Sequence, residues 1–259
     1  MLSAVIITKD EEQHIEGCLS SIIDVVDEVV IVDAESSDRT RALAGAFSDK
    51  VATYVKRWEG YGAARNYGAH KASHPFIFSI DADERCDSTL ANSIAHLRQE
   101  PSLLQSDDVF VIKRINIYKG KKMLYGVLAP EVKPRLYDRR AYHWDDRHVH
   151  ELLRSKEDHD PVTHPRMLDG ALDHHAYDDV RSHRAKLTNY AHLSARQWLV
   201  DGRTPSDLEA VLAPTYHFLR CHIQKRGFLD RDYGWETSIS AMMYHREKYK
   251  QYQLLIQRD

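Results

Sequence analysis

Three carboxylates in four positions, Asp81-Ala82-Asp83-Glu84, follow directly on the apolar run FIFSI (Phe76–Ile80). Two aspartates one residue apart repel each other unless a cation lies between them or one is protonated. A divalent ion relieves that repulsion, and Mg2+ or Mn2+ favours carboxylate, water and phosphate oxygens. An ion held there would also neutralise a diphosphate as a bond to it breaks. The plainer reading is that Asp81 and Asp83 cap the turn and helix that follow. The pattern by itself does not choose between the two. Histidine is plentiful, 16 in all, with local pairs at His148/His150 and His174/His175. No cysteine pairs accompany them and their spacings fit no standard zinc finger, which argues against a zinc site.

The elements that must position these groups alternate along the first hundred residues. LSAVIIT (2–8), EVVIVDA (28–34), KVATYV (50–55) and FIFSI (76–80) are short, β-branched, apolar runs. Between them Ile15, Leu19, Ile22 and Ile23 recur at helical spacing, Asp38 stands where it could cap RTRALAGAF, and YGAARNYGAHKA reads as a third helix. Asp87 is placed to cap a helix over STLANSIAHLRQ. Strands apolar nearly throughout, alternating with helices, predict a parallel sheet covered on both faces. Ligands of such sheets bind beyond the carboxyl ends of the strands. Those ends here are Thr8-Lys9-Asp10-Glu11, Asp33-Ala34-Glu35-Ser36 and Asp81-Ala82-Asp83, so polar groups collect along one edge. Longer strands, antiparallel in expectation, follow at DDVFVIKRINIYKG and VKPRLYD, and from about Asp178 the chain reads as helices.

A chain of 259 residues, 42% hydrophobic and 29% charged, has the composition of a soluble globular protein. Cys18, Cys86 and Cys221 lie far apart, which is no disulfide framework and suggests a reducing compartment. The N-terminus has no basic region before its apolar stretch and reads as a strand rather than a signal peptide. No apolar run approaches the roughly 20 residues that cross a bilayer. The net charge is −3, yet residues 181–259 carry 13 Lys and Arg against 8 Asp and Glu, leaving the preceding part acidic. Net acidity and the lack of a recognition motif exclude nucleic acid as the expected partner.

VIITKDEEQHIEGCLSSI, VDEVVIVDAESSDRT, GYGAARNYG, FSIDADE and RLYDRR…VHE, taken in order, resemble the family 2 glycosyltransferases. The likeness is greatest to the branch of lipopolysaccharide core β-1,4-glucosyltransferases. It continues into HAYDDV…KLTNYAHLSA and GFLDRDYGW, so it covers most of the chain. The resemblance implies an α/β GT-A fold, a Rossmann-like, mostly parallel sheet flanked by helices with a C-terminal helical extension. It implies a nucleotide-sugar-binding and catalytic domain over residues 1–177 and a helical, acceptor- or membrane-facing extension over 178–259. Thr8, Asp10 and Glu11 would line the nucleotide pocket, Asp33 would bind the base, and Arg65 would lie near the phosphates. Asp81 would contact the ribose or the metal. Asp83 would coordinate a divalent cation, Mg2+ or Mn2+, and His174 would complete the coordination or touch the diphosphate, with His175 as its neighbouring substitute. Glu151 would be the base that takes the acceptor proton. The family commonly has Asn where Asp10 stands and Gly where Glu35 stands, and both departures add negative charge.

The function so implied is an inverting, metal-dependent transfer of a hexose, glucose from UDP-glucose, to a lipopolysaccharide core or related glycolipid or oligosaccharide acceptor. The expected location is cytoplasmic, peripheral at the inner face of the membrane. Aromatic and basic residues mixed along the C-terminal helices suit an anionic membrane surface, though the same helices could simply pack with Lys and Arg outward. Two alternatives belong to other classes. One is a haloacid dehalogenase-like phosphatase with Asp81 as nucleophile; its motif usually continues with Gly-Thr after the first strand, whereas Glu84-Arg85 follow the fourth strand here. The other is a non-catalytic sugar-nucleotide-binding scaffold, in which Glu151→Gln would change nothing measurable.

Overall fold

The computed structural model describes residues 2–145, 151–177 and 179–257. Along the chain run β1 (Leu2–Thr8), α1 (Ile15–Ile22), β2 (Glu28–Asp33), α2 (Thr40–Phe47), β3 (Val51–Val55), α3 (Tyr61–Lys71) and β4 (Phe76–Asp81). Then come β5 (Glu84–Cys86), α4 (Ser88–Gln99), β6 (Val109–Tyr118), β7 (Lys121–Lys122), β8 (Glu131–Asp138), β9 (Tyr142–Trp144), β10 (Leu153–Ser155) and β11 (Arg166–Tyr177). Helices α5 (Val180–Val200), α6 (Asp207–Leu219) and α7 (Arg231–Ile256) complete the chain.

The main sheet has the order β3-β2-β1-β4-β8-β6-β11-β5, with β7 beside β6. β3, β2, β1 and β4 are mutually parallel, as their alternation with helices requires. The later pairs β4–β8, β8–β6, β6–β7 and β11–β5 are antiparallel. Within the parallel strands the side chains alternate between two cores. Ala4, Ile6, Val29, Ile31, Phe78 and Ile80 face Ile15, Leu19 and Ile22 of α1 and Leu90 and Ile94 of α4. Val5, Val30 and Ile77 face Ala69 of α3, with Tyr137 and Trp144. Each large aliphatic side chain buried this way contributes about 1.5–3 kcal/mol, and burial on both faces is why β1, β2 and β4 read as unbroken apolar runs; β3, at the sheet edge, is only partly covered.

Local signals set the helix starts. Asp87 accepts from the Leu90 N–H at 2.8 Å and caps α4 as expected. Asp38 stands just outside α2, whose N-cap is Arg39. Its carboxylate accepts from Thr40 N–H at 2.9 Å and from Glu12 N–H at 3.0 Å, so it ties two loops together as well as the helix start.

Compactness divides the chain discontinuously, into Met1–Arg114 with Glu131–His174, and Ile115–Pro130 with His175–Asp259. In the second unit Ser206 caps α6 by accepting from Glu209 N–H, and Trp198, Tyr249, Tyr252 and Ala195 form a core. Residues 115–130 belong with these helices. Tyr118 is fully buried against the rings of Tyr177, His183 and Tyr233, and Asp230 Oδ2 accepts from the N–H groups of Leu124 and Tyr125 at 3.1 and 2.9 Å. A reading by consecutive segments, with a single boundary after residue 177, had no means of assigning that excursion.

Candidate active site

Parallel register brings the polar strand ends side by side: Thr8 stands opposite Asp33 and Ile7 opposite Asp81. Thr8 is buried, and its Oγ1 has no hydrogen-bond partner among the described residues. Asp33 is fully buried and accepts from Ser36 N–H at 2.8 Å and Ser36 Oγ at 2.5 Å. Asp10 donates its N–H to Ser36 Oγ at 2.9 Å and accepts from Ser37 N–H at 2.7 Å, while Glu11 N–H donates to Thr40 Oγ1 at 2.8 Å. The loops after β1 and β2 are thus clipped to each other. Asp10 and Glu35, the two departures from the family pattern, both have left-handed backbone, φ 53° and 58°. Asp and Asn tolerate that region and Gly adopts it freely, so Asp10 costs little there and Glu35 more.

Deeper in the first unit the carboxylates meet a set of arginines. Arg65, on α3 and 4% exposed, donates to Asp81 Oδ1 at 2.7 Å and through its other terminal nitrogen to Glu151 Oε1. Arg135, on β8 and 3% exposed, donates to Asp81 Oδ2 at 3.1 Å and to Glu84 Oε1. Arg114 lies 3.6 Å from Glu84 and 3.3 Å from Glu131. Burial alone would raise the Asp81 carboxyl, but the guanidinium groups of Arg135 and Arg65 outweigh it and hold it well below the usual carboxylate range. Glu84, fully buried and repelled by Asp81, is pushed up despite Arg135. Both Asp81 oxygens are engaged by guanidinium groups, an arrangement unsuited to the nucleophile of a phosphatase.

What carries Glu151 to this point is a clamp on α3. Asn66 Nδ2 donates to the Trp144 carbonyl at 2.7 Å, and Trp144 N–H donates back to Asn66 Oδ1 at 2.9 Å. Asp145 N–H then donates to the Leu152 carbonyl at 2.9 Å, and Asp145 Oδ1 accepts from Leu152 N–H at 3.0 Å. Glu151 therefore leaves a paired backbone one residue from the clamp. The Trp144 ring lies 4.9 Å from the Arg65 guanidinium carbon and packs against Tyr137, to whose hydroxyl its indole N–H donates at 3.0 Å. Gly62 fits against the Asp145 carbonyl, where a Cβ would collide.

Asp83, two residues beyond Asp81, adds to the negative charge facing Arg135. Its Oδ2 lies 3.2 Å from His174 Nε2, because β11 pairs antiparallel with β5 and sets His174 opposite Glu84. Among the described residues no group of three or more His, Cys, Asp or Glu is arranged to hold an ion. One carboxylate and one imidazole, 19% and 13% exposed, still fit a hard divalent cation that takes its remaining ligands from phosphate and water. His148 and His150 lie outside the described residues. Glu84, Arg135 and Asn66 are the members that sequence reasoning missed or left unassigned. Arg139 and Arg140 prove structural: the first donates to the His74 carbonyl at 2.9 Å, the second pairs with Asp138 at 2.6 Å.

The first unit is thus an α/β sheet whose acidic strand ends gather beside buried arginines. The chain belongs to glycosyl transferase family 2, whose profile matches residues 3–156. It is 29% identical over 266 residues to the lipopolysaccharide core biosynthesis glycosyltransferase LpsC of Rhizobium meliloti (strain 1021), covering 96% of this chain and 94% of that one. It is 25% identical over 249 residues to an uncharacterized glycosyltransferase of Rickettsia bellii (strain RML369-C), covering 94% and 82%. Among solved structures, Staphylococcus aureus TarS superposes with a TM-score of 0.44 at 16% identity, over 97% of this chain and 54% of that one, about half its length.

Proposed function

We propose that the protein is an inverting, metal-dependent glycosyltransferase that moves a hexose, glucose from UDP-glucose, to a lipopolysaccharide-core or related glycolipid at the inner face of a membrane. The observation that carries the reading is the Arg65 bridge: one buried guanidinium joins Asp81, at the end of β4, to Glu151, 86 residues further along than itself. The candidate base and the strand-end carboxylates thereby share one site. Thr8, Asp10, Glu11 and Asp33 would form the nucleotide side, where the buried Thr8 hydroxyl still lacks a hydrogen-bond partner among the described residues. Asp83 and His174 would hold the divalent cation, which when bound neutralises the leaving diphosphate. Arg65 would face the same phosphates, its planar fork suited to them. Glu151 would take the acceptor proton as the sugar–phosphate bond loosens, so no acid on the protein is needed. The relatedness to LpsC supports the lipopolysaccharide-core acceptor.

The test is calorimetric titration of UDP into the protein with Mn2+, with EDTA, and into Asp83→Ala. Binding that requires both the metal and Asp83 is the expected result; binding indifferent to both would remove the proposed metal site. Glu151→Gln should keep UDP binding and lower transfer to a lipopolysaccharide-core glycolipid by about 10²–10⁴-fold. Unchanged transfer would shift the base elsewhere.

A further inference from the structure

Helix α6 is built inside out. Its large apolar side chains Leu208, Val211, Leu212, Tyr216 and Leu219 recur at the spacing of one helix face, and all are between 46% and 72% exposed. The side it turns toward the Trp198–Tyr249 core carries the small Ala210 and Ala213. The apolar surface continues past the helix through Ile223, Phe228, Leu229 and Trp235, each at least 45% exposed. Phe218, His222, Phe228 and Trp235 are in ring contact, so this continuation clusters at the C-terminal end of α6.

Charge selects the occupant. Arg220, Lys225, Arg226 and Arg231 are exposed around the C-terminal end of α6 and the turn after it, against Asp232 there and Asp207 at the far end of the helix, since Asp230 is buried by its own backbone contacts. At the other edge of the stripe, Leu208, Leu212 and Tyr216 line a groove of about 660 Å³ that also holds Lys248 and Arg203, the latter paired with Glu209. A second copy of the chain docking by the same face would bring these cations against their equivalents, which is repulsive. An anionic bilayer accepts both the cations and the apolar stripe.

We propose that α6 and the turn after it dock on a bilayer bearing anionic phospholipid headgroups, the helix lying in the interface with its Leu208–Leu219 stripe against the acyl chains. The inference deepens the membrane-peripheral part of the reading above and rests on that part alone. Among the described residues no helix is long and apolar enough to cross a membrane, so the contact is one of surface docking.

Co-sedimentation of the full chain with phosphatidylcholine vesicles, with and without phosphatidylglycerol, tests it. Binding should need phosphatidylglycerol and weaken as salt rises. Leu208→Gln/Leu212→Gln/Leu219→Gln should lose binding by at least about 10-fold, the stripe being the inserted part. Because those side chains are exposed, Tm and UDP binding should be kept. Arg220→Gln/Lys225→Gln, which leaves the stripe intact, should also weaken binding and gives a second reading should the triple variant fold poorly. Failure of the wild type to bind, or equal binding by both variants, would overturn the proposal. So would a wild-type dimer that the triple variant converts to monomer, which would make the stripe a self-interface. UDP titration of the same preparations reports the catalytic site separately, so failure there leaves the docking result standing.

Discussion

At Arg135 a single buried guanidinium lies between the half-buried Asp81 and the fully buried Glu84. Removing one partner of a buried ion pair leaves an uncompensated charge, which costs about 3–5 kcal/mol. Arg135→Leu should therefore lower unfolding stability by that amount in urea titration. Arg135→Leu with Glu84→Leu should recover part of the loss, since one stranded carboxylate goes with the guanidinium. If the single variant were as stable as wild type, the network would be far wetter than its burial implies. By contrast Lys133→Ala should be close to neutral, because its pair with Glu131 is exposed on both sides and such pairs contribute only about 0–1 kcal/mol.

Helix α3 positions Arg65 and Asn66, and it approaches the sheet through Gly68, where a Cβ would collide with Val5 Cγ1. Gly68→Ala should lift the helix, cost about 1–3 kcal/mol by overpacking, and reduce UDP binding together with stability. Preserved binding in a destabilised variant would separate helix seating from the site. In the second unit the rings of His217 on α6 and His245 on α7 stack at 3.4 Å. Burial, with the adjacent His217 and Lys248, pushes His245 down from its ordinary 6.5 to about 3. A histidine held low in the fold contributes stability that is present above its unfolded value and drains away as pH falls through the window between the two. His183, pushed down to about 4 chiefly by burial, acts with the same sign. Urea midpoints should fall as pH drops below about 6.5, and His245→Phe should shallow that slope. An unchanged slope would assign the acid sensitivity to other groups.

The whole chain divides into two compact units, and the division has a consequence for truncation. A fragment ending at residue 177 keeps 115–130 but loses Tyr233, His183 and the Asp230 carboxylate that satisfy it. Tyr118, Met123 and Leu128, now buried, would be uncovered. The fragment should aggregate or bind a hydrophobic dye, seen by size exclusion and fluorescence, whereas an independently folding domain would elute as a monomer. Charge is also partitioned at this scale: the carboxylate-rich site belongs to the first unit and the basic surplus to the last eighty or so residues.

Much of this was legible in the residues themselves. Unbroken β-branched runs between helical periods marked β1, β2 and β4, because burial on both faces must be written into consecutive side chains, while the half-covered edge strand β3 and helices α1 to α3 showed through alternation and helical spacing. The acidic strand ends followed from the same pattern, as did the Asp87 cap. Other features depend on where distant segments come to rest. Arg135 meets Glu84 across 51 residues and Arg65 meets Glu151 across 86, contacts set by strand register and by the Asn66 clamp. Nothing local marks Arg135 as buried when Arg139 and Arg140, in the same stretch, are not. The outward apolar face of α6 has the periodicity of any amphipathic helix, and only packing decides which side turns in. Periodicity records that a face is apolar; the tertiary structure decides what covers it, since that depends on neighbours brought from elsewhere in the chain.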